Sequence, residues 1–122
     1  MNSIFLTVNS IPPSWNKIMR MHWAERSEIQ ENWDMAVMIS KREAVQQELK
    51  RLPYRKCEIE ICYHFKNKRS RDYDNYSGKF ILDALKHNQV IVDDNSKVVT
   101  KLSHSFSESD QDKTIIFIKS KE

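Results

Sequence analysis

Apolar and polar residues alternate cleanly from about residue 54 to 66, and this two-residue period predicts a half-buried β-strand. A shorter alternation over residues 4–8 predicts a first strand, and two further strands are expected at about 98–106 and 114–119. The side chains expected to share the apolar face of the longest strand are Cys57, Ile59, Ile61, Tyr63 and Phe65. The pattern therefore predicts four strands of a sheet.

Between the first two strands, apolar residues recur every four positions, which is typical of an amphipathic helix. From about residue 23 to 49 the chain contains neither glycine nor proline, and Ile29, Trp33 and Val37 form the apolar stripe. Pro53 follows shortly afterwards and is expected to end the helix. The stripe would face the core of the protein.

A second helix is expected over residues 75–87, followed by a short apolar strand at 90–92 and a cluster of turn formers at 93–96. Two prolines interrupt regular structure in the segment 11–16, so a loop is expected there. The elements of the sheet and the two helices then follow one another as β-α-β-α-β-β. This order predicts a single domain, residues 1–122, with an α+β fold in which two helices pack on one face of a mixed β-sheet.

The length and composition fit one globular domain. The chain has 122 residues, of which 39% are hydrophobic and 30% charged, and no apolar run is long enough to span a membrane. The N-terminus lacks the basic start and long apolar core of a signal peptide, so a cytoplasmic location is expected. Cys57 and Cys62 are five residues apart in one predicted strand and would point to opposite faces, which argues against a disulfide bond between them.

The charge is distributed unevenly, although the formal net charge is only +3. Four cations fall within six residues, directly before the aspartates at positions 72 and 74. Such a cluster suits a site that attracts a polyanion and also holds a metal ion. A solvated loop rich in charge is the alternative interpretation of this segment. The four cations are Lys66, Lys68, Arg69 and Arg71.

Four aspartates flank the second predicted helix. Asp72 and Asp74 lie two residues apart before it, so in an extended segment both carboxylates point the same way. Asp93 and Asp94 lie in the turn after the following strand, and together these groups could give magnesium three or four oxygen ligands. Ordinary helix capping and turn formation are the alternatives. The single glycine, Gly78, cannot form a phosphate-binding loop, so no nucleotide cofactor is expected.

Four segments resemble those of the RusA family of Holliday junction resolvases, in the family's order and close to its spacings. They are P-P-S-W-N at 12–16, R-D-Y-D-N at 71–75, K-F-I-L-D-A-L at 79–85 and V-I-V-D-D at 90–94. Lys79 lies five residues after Asp74, whereas the family often has four, and Asp83 is shifted by the same single residue. One extra residue near Gly78 accounts for both shifts. If it lay inside the helix, it would rotate the helix by about 100° and change the direction of the lysine.

The resemblance implies a metal-dependent endonuclease with three catalytic carboxylates. Asp72, Asp74 and Asp94 would be the catalytic residues that bind the metal. Lys79 would assist catalysis by stabilising charge in the transition state. The metal is expected to be Mg²⁺, with Mn²⁺ as a substitute. The supporting residues would be Asp93 and Asn75.

The resemblance also implies that the substrate is branched DNA, in particular a four-way junction. Resolution by paired symmetric nicks needs two equivalent active sites, which a two-fold homodimer supplies. The DNA contacts would go to phosphates, which position the substrate without reading its sequence, and no base-reading element is evident. The expected DNA-binding residues are Asn16, Lys17, Lys66, Lys68, Arg69 and Arg71.

Two other functions are alternatives to the nuclease. The first is a non-catalytic DNA-binding protein of the same fold, whose carboxylates serve only as caps and turns. The second is a sugar transferase that uses the segment 72–74 as a metal motif, but a chain of this length leaves no room for a nucleotide-sugar domain. A host repair role and a phage or prophage role are both compatible with the sequence.

Overall fold

A computed structural model describes residues 2–44 and 46–122. In this part the chain forms an α+β fold with a four-stranded mixed β-sheet and four α-helices, so the predicted fold class and the mixed sheet are confirmed. The strands are β1 (Ser3–Val8), β2 (Cys57–Phe65), β3 (Val99–Glu108) and β4 (Lys113–Ser120). The helices are α1 (Trp15–Arg20), α2 (Trp23–Glu43), α3 (Gln46–Leu49) and α4 (Lys79–His87).

Strand β2 has a hydrogen-bonded neighbour on each side, because the order of strands in the sheet is β1-β4-β2-β3. It pairs antiparallel with β4, where Ile61 lies opposite Ile116, and parallel with β3, where Ile61 lies opposite His104. Parallel neighbours require a crossover that returns the chain to the end where the first strand began. Residues 66–98 form this crossover, and α4 lies within it.

The core lies against one face of the sheet, because alternate residues of the strands are buried there. All five residues predicted for the inner face of β2 are buried. Burial of apolar surface contributes about 25 cal/mol per Å², so this face is the main source of the fold's stability. The buried apolar residues that β1 and β4 add to it are Ile4, Leu6, Val8, Ile116 and Ile118.

Helices α2 and α4 pack against each other, and α2 also contacts β1. Trp33 and Val37, which belong to the predicted stripe of α2, are buried. Polar side chains join the same elements, since Ser40 Oγ accepts a hydrogen bond from the Thr7 backbone at 3.0 Å. Lys41 Nζ donates to a backbone carbonyl just after α4 at 2.7 Å. The α4 side chains that enter the core are Phe80, Ile81, Ala84 and Leu85.

None of the helices in the described ranges is long and apolar enough to cross a membrane.

Helix α2 begins at the predicted residue, Trp23, but it ends at Glu43 rather than near residue 49. A separate short helix, α3, covers the last part of the predicted range, and residue 45 between them lies outside the described residues.

The loop predicted over residues 11–16 is wrong at its end, because Trp15 and Asn16 begin α1. Ser14 explains this start. Its side chain accepts a hydrogen bond from the Lys17 backbone N–H at 3.4 Å, which satisfies one of the free donors of the first turn. The two prolines precede this cap and do not interrupt the helix.

The second predicted helix starts later than expected. Residues Tyr73–Asn75 form a 3₁₀ turn, and the regular helix begins only at Lys79. Gly78 separates the two elements in a left-handed conformation with φ 75°, which few other residues adopt without strain. The strand predicted at 90–92 is also wrong. Ile91 forms only an isolated β-bridge with Tyr54, and this bridge lies outside the four strands of the sheet.

Gly78 provides a test of this local structure. We expect Gly78→Ala to lower the free energy of unfolding by about 1–3 kcal/mol, because a Cβ is strained at positive φ. The added Cβ would also lie 3.1 Å from atoms of both Ile61 and His104. Urea unfolding would measure the change. Gln89→Gly is the matched control: at φ 56° it removes the same strain and should stabilise the protein by up to about 1 kcal/mol. A Gly78→Ala variant as stable as the wild type would contradict the assignment.

Candidate functional site

A cleft opens where the chain leaves β2, and it joins segments that are far apart in sequence. One side is the proline segment, residues 11–17, and the other is the loop and 3₁₀ turn of residues 67–76. The cleft has a volume of about 540 Å³, enough for one or two nucleotides rather than for a whole duplex. The charged residues that line it are Lys17, Arg69, Arg71, Asp72 and Asp112.

Two long-range hydrogen bonds fix the walls of the cleft. The Asn16 backbone N–H donates to Asn75 Oδ1 at 3.0 Å, which ties α1 to the 3₁₀ turn. On the opposite side, the Lys66 backbone N–H donates to Asp112 Oδ1 at 2.8 Å. The sequence-predicted residues Asn16 and Asn75 therefore meet in space, and Asn75 has a structural partner in the proline segment.

Two cations of the predicted basic run, Arg69 and Arg71, line this cleft. Lys66, Lys68 and Arg69 are exposed, and Lys68 lies 4.0 Å from Glu108. Arg71 is half-buried, with its guanidinium 3.6 Å from the centre of the Phe65 ring. It also donates to the backbone carbonyls of residues 67 and 69, which hold the loop in shape. The cation over the ring therefore connects the loop to the end of β2.

The three cations of the cleft make no direct ion pair among the described residues, although Asp72 and Asp112 line the same cleft. In the part of the chain that the structure describes, Lys17, Arg69 and Arg71 form no ion pair. Lys17 approaches from α1, whereas the two arginines come from the loop after β2. Unpaired cations that converge from separate segments favour the binding of an anion such as phosphate.

Asp72 and Asp74 lie at the entrance of the 3₁₀ turn, and both are exposed. Asp72 is in the N-cap position of this turn, but its side chain makes no capping hydrogen bond. Asp74 does not cap α4, because the N-cap of that helix is Gly78. The capping alternative for Asp74 is therefore wrong, and neither carboxylate has a structural role in starting the helix.

Asp93 and Asp94 differ from each other in their surroundings. Asp93 Oδ1 accepts a hydrogen bond from the Asp94 backbone N–H at 2.8 Å, and this bond lowers the pKa of the Asp93 carboxyl. Asn95 Nδ2 donates to the second oxygen of Asp93 at 3.2 Å. Lys86 Nζ lies 3.8 Å from a carboxylate oxygen of each aspartate. Asp93 therefore stabilises the turn, whereas the Asp94 carboxylate lies beside the ammonium group of Lys86.

Lys79 is the first residue of α4, and its Nζ lies 3.5 Å from Asp83 Oδ2, one helical turn further on. Lys86 follows on the same side and reaches the turn after the helix. Charges of alternating sign therefore run along one side of α4, from its first residue to the turn that contains Asp94.

The structure brings the predicted cations together with Asp72 but separates the carboxylates. Within residues 2–44 and 46–122, no group of three or more His, Cys, Asp or Glu side chains is close enough to hold a metal ion. Asp72 and Asp74 precede the first turn of α4, whereas Asp94 contacts Lys86 in the last turn. These two turns are about 10 Å apart along the helix axis, at 1.5 Å per residue.

An aromatic cluster beside the cleft was missed by the sequence analysis. Phe106 on β3 packs against Tyr63, Phe65 and Tyr76, with ring centroids 5.5–6.0 Å apart. Tyr73 covers Phe106 from outside, with a centroid distance of 4.8 Å. The only sequence signal is that aromatic residues occupy alternate positions on two strands, 63 and 65 on β2 and 104 and 106 on β3.

His104 packs against Tyr63, a member of this cluster. Its ring is parallel to that of Tyr63, and Nδ1 lies 3.1 Å from the Tyr63 hydroxyl. Burial lowers the pKa of His104, so the imidazole is neutral and Nδ1 can accept the tyrosine proton. Burial also raises the pKa of Tyr63, which keeps its hydroxyl protonated as the donor.

In comparisons with known proteins, no family model matches this chain and no curated protein matches it significantly. Inferences about function therefore depend on the residues of the chain itself.

His104 leads to a prediction about pH. In the unfolded chain histidine has a pKa of about 6.5, whereas the pKa of folded His104 is lower. Below about pH 6.5 the unfolded chain therefore binds a proton that the folded protein does not, and acid lowers the free energy of unfolding. We expect His104→Asn, which keeps an acceptor near Nδ1, to lose less stability than the wild type between about pH 7.5 and pH 5.

Urea unfolding at several pH values would measure this difference. Ser105→Asn is the control, because it introduces the same residue at an exposed position of β3 without removing a titratable group, and it should keep the pH dependence of the wild type. Equal slopes for the wild type and the His104 variant would contradict the buried neutral imidazole.

Proposed function

We propose that the chain is a magnesium-dependent endonuclease that cuts branched DNA, in the manner of the RusA-like resolvases that its sequence resembles. One observation supports this function best. The cleft at the end of β2 combines unpaired cations from two distant segments with the exposed carboxylate of Asp72. Phosphodiester hydrolysis needs both: positive charge to hold the backbone, and carboxylates to hold the metal.

The cations would bind the phosphates of the DNA backbone. Lys17 and Arg69 are exposed on opposite walls of the cleft, so a strand that passes between them could contact both. Lys66, Lys68 and Arg71 extend this positive surface. Contacts of this type give affinity without sequence preference, which suits an enzyme that recognises the shape of its substrate.

Asp72, Asp74 and Asp94 would hold the Mg²⁺ ion, with Mn²⁺ as a substitute. The residue types fit the chemistry, since magnesium prefers carboxylate oxygens and commonly uses one or two of them together with waters and substrate phosphate. In the described residues the three carboxylates lie apart, so Asp72 and Asp74 would bind first and Asp94 would have to approach them from the other end of α4. Asp72 and Asp74 are exposed, and Asp72 makes no capping bond. When bound, the metal would supply an activated water and neutralise charge on the scissile phosphate. Asp93 would support Asp94 through the hydrogen bond to its backbone.

Lys79 would stabilise negative charge on the phosphate during cleavage. Helix α4 begins at this residue, and the irregular segment 76–78 precedes it. The one residue by which the chain exceeds the family's spacing can be accommodated in this segment, so it does not rotate the helix. The ion pair with Asp83 would hold the ammonium group in one direction.

The substrate would be a four-way DNA junction in the cytoplasm, and the active form a homodimer. Paired nicks on opposing strands need two identical sites related by a two-fold axis, and a second copy of the chain would supply the second cleft. We also propose that α2 and α4 lie together on one face of the sheet, as in the predicted RusA-like arrangement, which leaves the other face free.

A second candidate is a DNA-binding protein of the same fold without catalytic activity. One observation favours it: the described residues contain no group of three metal-ligating side chains. The two candidates differ in metal binding. The enzyme would bind Mn²⁺ through Asp72, Asp74 and Asp94, and the binding protein would not.

Cleavage of a labelled synthetic four-way junction tests the nuclease. We expect symmetric nicks in the junction but not in a matching linear duplex, and only when Mg²⁺ or Mn²⁺ is present. Asp72→Asn, Asp74→Asn and Asp94→Asn should each lower the rate at least about 100-fold, because each removes a charged ligand of the metal, while junction binding is largely kept.

Glu60→Gln is the matched control. It removes one exposed carboxylate from the face of β2 that points away from the core, and it should leave the rate unchanged. Full cleavage by the Asp74 variant would refute the assignment of the site. Binding of the junction by the wild type without cleavage in either metal would favour the non-catalytic protein.

The salt dependence of binding tests the basic wall. We expect Arg69→Ala to weaken binding of junction and duplex by similar factors, because a phosphate contact does not depend on branching. The slope of log K against log salt should fall by about 0.9 for each phosphate that the variant no longer neutralises. Arg55→Ala is the control, since this exposed arginine lies just before the start of β2, whereas the cleft lies at the end of β2. An unchanged slope for the Arg69 variant would place the DNA elsewhere.

A further inference from the structure

We propose that Tyr73 is a stacking platform for a nucleobase that has lost a stacking neighbour, and so gives the protein a direct means of distinguishing branched DNA from duplex. This inference rests on the proposed function, because it assumes that DNA phosphates enter the neighbouring cleft. The residue lies between Asp72 and Asp74, and its ring was not among the predicted DNA contacts.

Tyr73 is unusually exposed for an aromatic residue at the edge of a cluster. About 66% of its surface is accessible, although it contacts the aromatic ring of Phe106. One face of its ring lies on Phe106, with a centroid distance of 4.8 Å and an angle of 29° between the planes. Because the rest of the ring is in solvent, the stack ends in an open aromatic face.

The ring beneath Tyr73 is held firmly. Phe106 contacts Tyr76 edge-on at 5.5 Å and also packs on Tyr63, which is fully buried. A residue with few side-chain torsions, supported on a packed ring, loses little conformational freedom when a ligand binds. The cluster therefore presents Tyr73 as a prepared surface rather than as a mobile side chain.

The surroundings of Tyr73 favour a nucleotide as the ligand. The adjacent residue Asp72 lines the cleft, together with Arg69 and Arg71. A groove of positive charge beside exposed aromatic rings is the arrangement by which proteins bind single-stranded nucleic acid, with phosphates in the groove and bases on the rings. A phosphate held by these arginines would bring its own or the next base towards Tyr73.

Stacking on Tyr73 requires a base that has left its own stack. In the interior of a linear duplex every base lies between two stacked neighbours and has no free face for the tyrosine ring. At the opened centre of a junction, bases lose a neighbour and become available. The cleft cations would then bind any DNA, whereas Tyr73 would add affinity only for DNA in which a base has a free face.

Phe5 provides a control with nearly the same geometry. It is 63% exposed and stacks on Phe117 with a centroid distance of 4.4 Å and an angle of 29°. It lies on the opposite face of the sheet, because its neighbours Ile4 and Leu6 face the core. A general effect of removing an exposed, stacked aromatic ring would therefore appear equally in Phe5→Ala.

The experiment compares dissociation constants for a four-way junction, a single strand and a linear duplex, measured by gel shift without divalent metal. We expect Tyr73→Ala to weaken junction and single-strand binding by about 5- to 150-fold and to leave duplex binding unchanged. Tyr73→Phe should bind like the wild type because it keeps the ring. Tyr73→Leu keeps an apolar contact with Phe106 but has no aromatic face, so it should resemble the Ala variant.

A second measurement identifies the contact directly. A junction with 5-iodouracil at the branch point should form a photo-crosslink to residue 73 in the wild type and the Phe variant, but not in the Leu variant. Thermal unfolding of each variant establishes that the fold is kept.

The outcomes separate this inference from the proposed function. A wild type that binds no DNA would overturn both. Normal junction binding by the Ala variant, or full binding by the Leu variant, would overturn the stacking role while the cleft stands. An equal loss on junction and duplex would also overturn it, because Tyr73 would then be an ordinary contact to paired DNA.

Discussion

The parallel pairing of β2 with β3 determines where the rest of the candidate site can lie. Two parallel strands cannot be joined by a hairpin, so the chain must leave β2 at one end of the sheet and return to the other before β3 begins. Residues 66–98 make this return, and they contain the basic loop, Asp72, α4 and Asp94. All the candidate catalytic residues therefore lie on one crossover, spread from one end of β2 to the other.

The crossover also explains why the carboxylates do not converge in this structure. Helix α4 lies between Asp74 and Asp94, so the residues before and after it are separated by its length. The side chains of Lys79, Asp83 and Lys86 span that length with charges of alternating sign, and Lys86 reaches Asp94. If a polyanion and a cation were bound at the first turn of α4, Lys79 would gain the polyanion as a partner and Asp83 would gain the cation. The ion pair between Lys79 and Asp83 would then weaken.

The sequence predicted the elements that depend on local periodicity and missed those that depend on a partner. All five inner residues of β2 are buried, and Trp33 and Val37 enter the core, because alternation and helical spacing are properties of the segment itself. The start of α4 depends on the positive φ of one glycine, which no apolar pattern reveals. Residues 90–92 are apolar enough for a strand, but a strand exists only where a neighbour completes its hydrogen bonds.

The candidate site divides in the same way. The cations at 66–71 and the aspartates were predicted because residue type and spacing suffice to identify them. That Asn16 would meet Asn75 across 59 positions could be suspected only from the family resemblance. The aromatic cluster had no such motif, because its rings come from three separate segments and meet only once β2 and β3 pair. Strand β3 lies at the edge of the sheet. Its residue Phe106 therefore links the buried aromatic residues to Tyr73 at the surface, beside the candidate site.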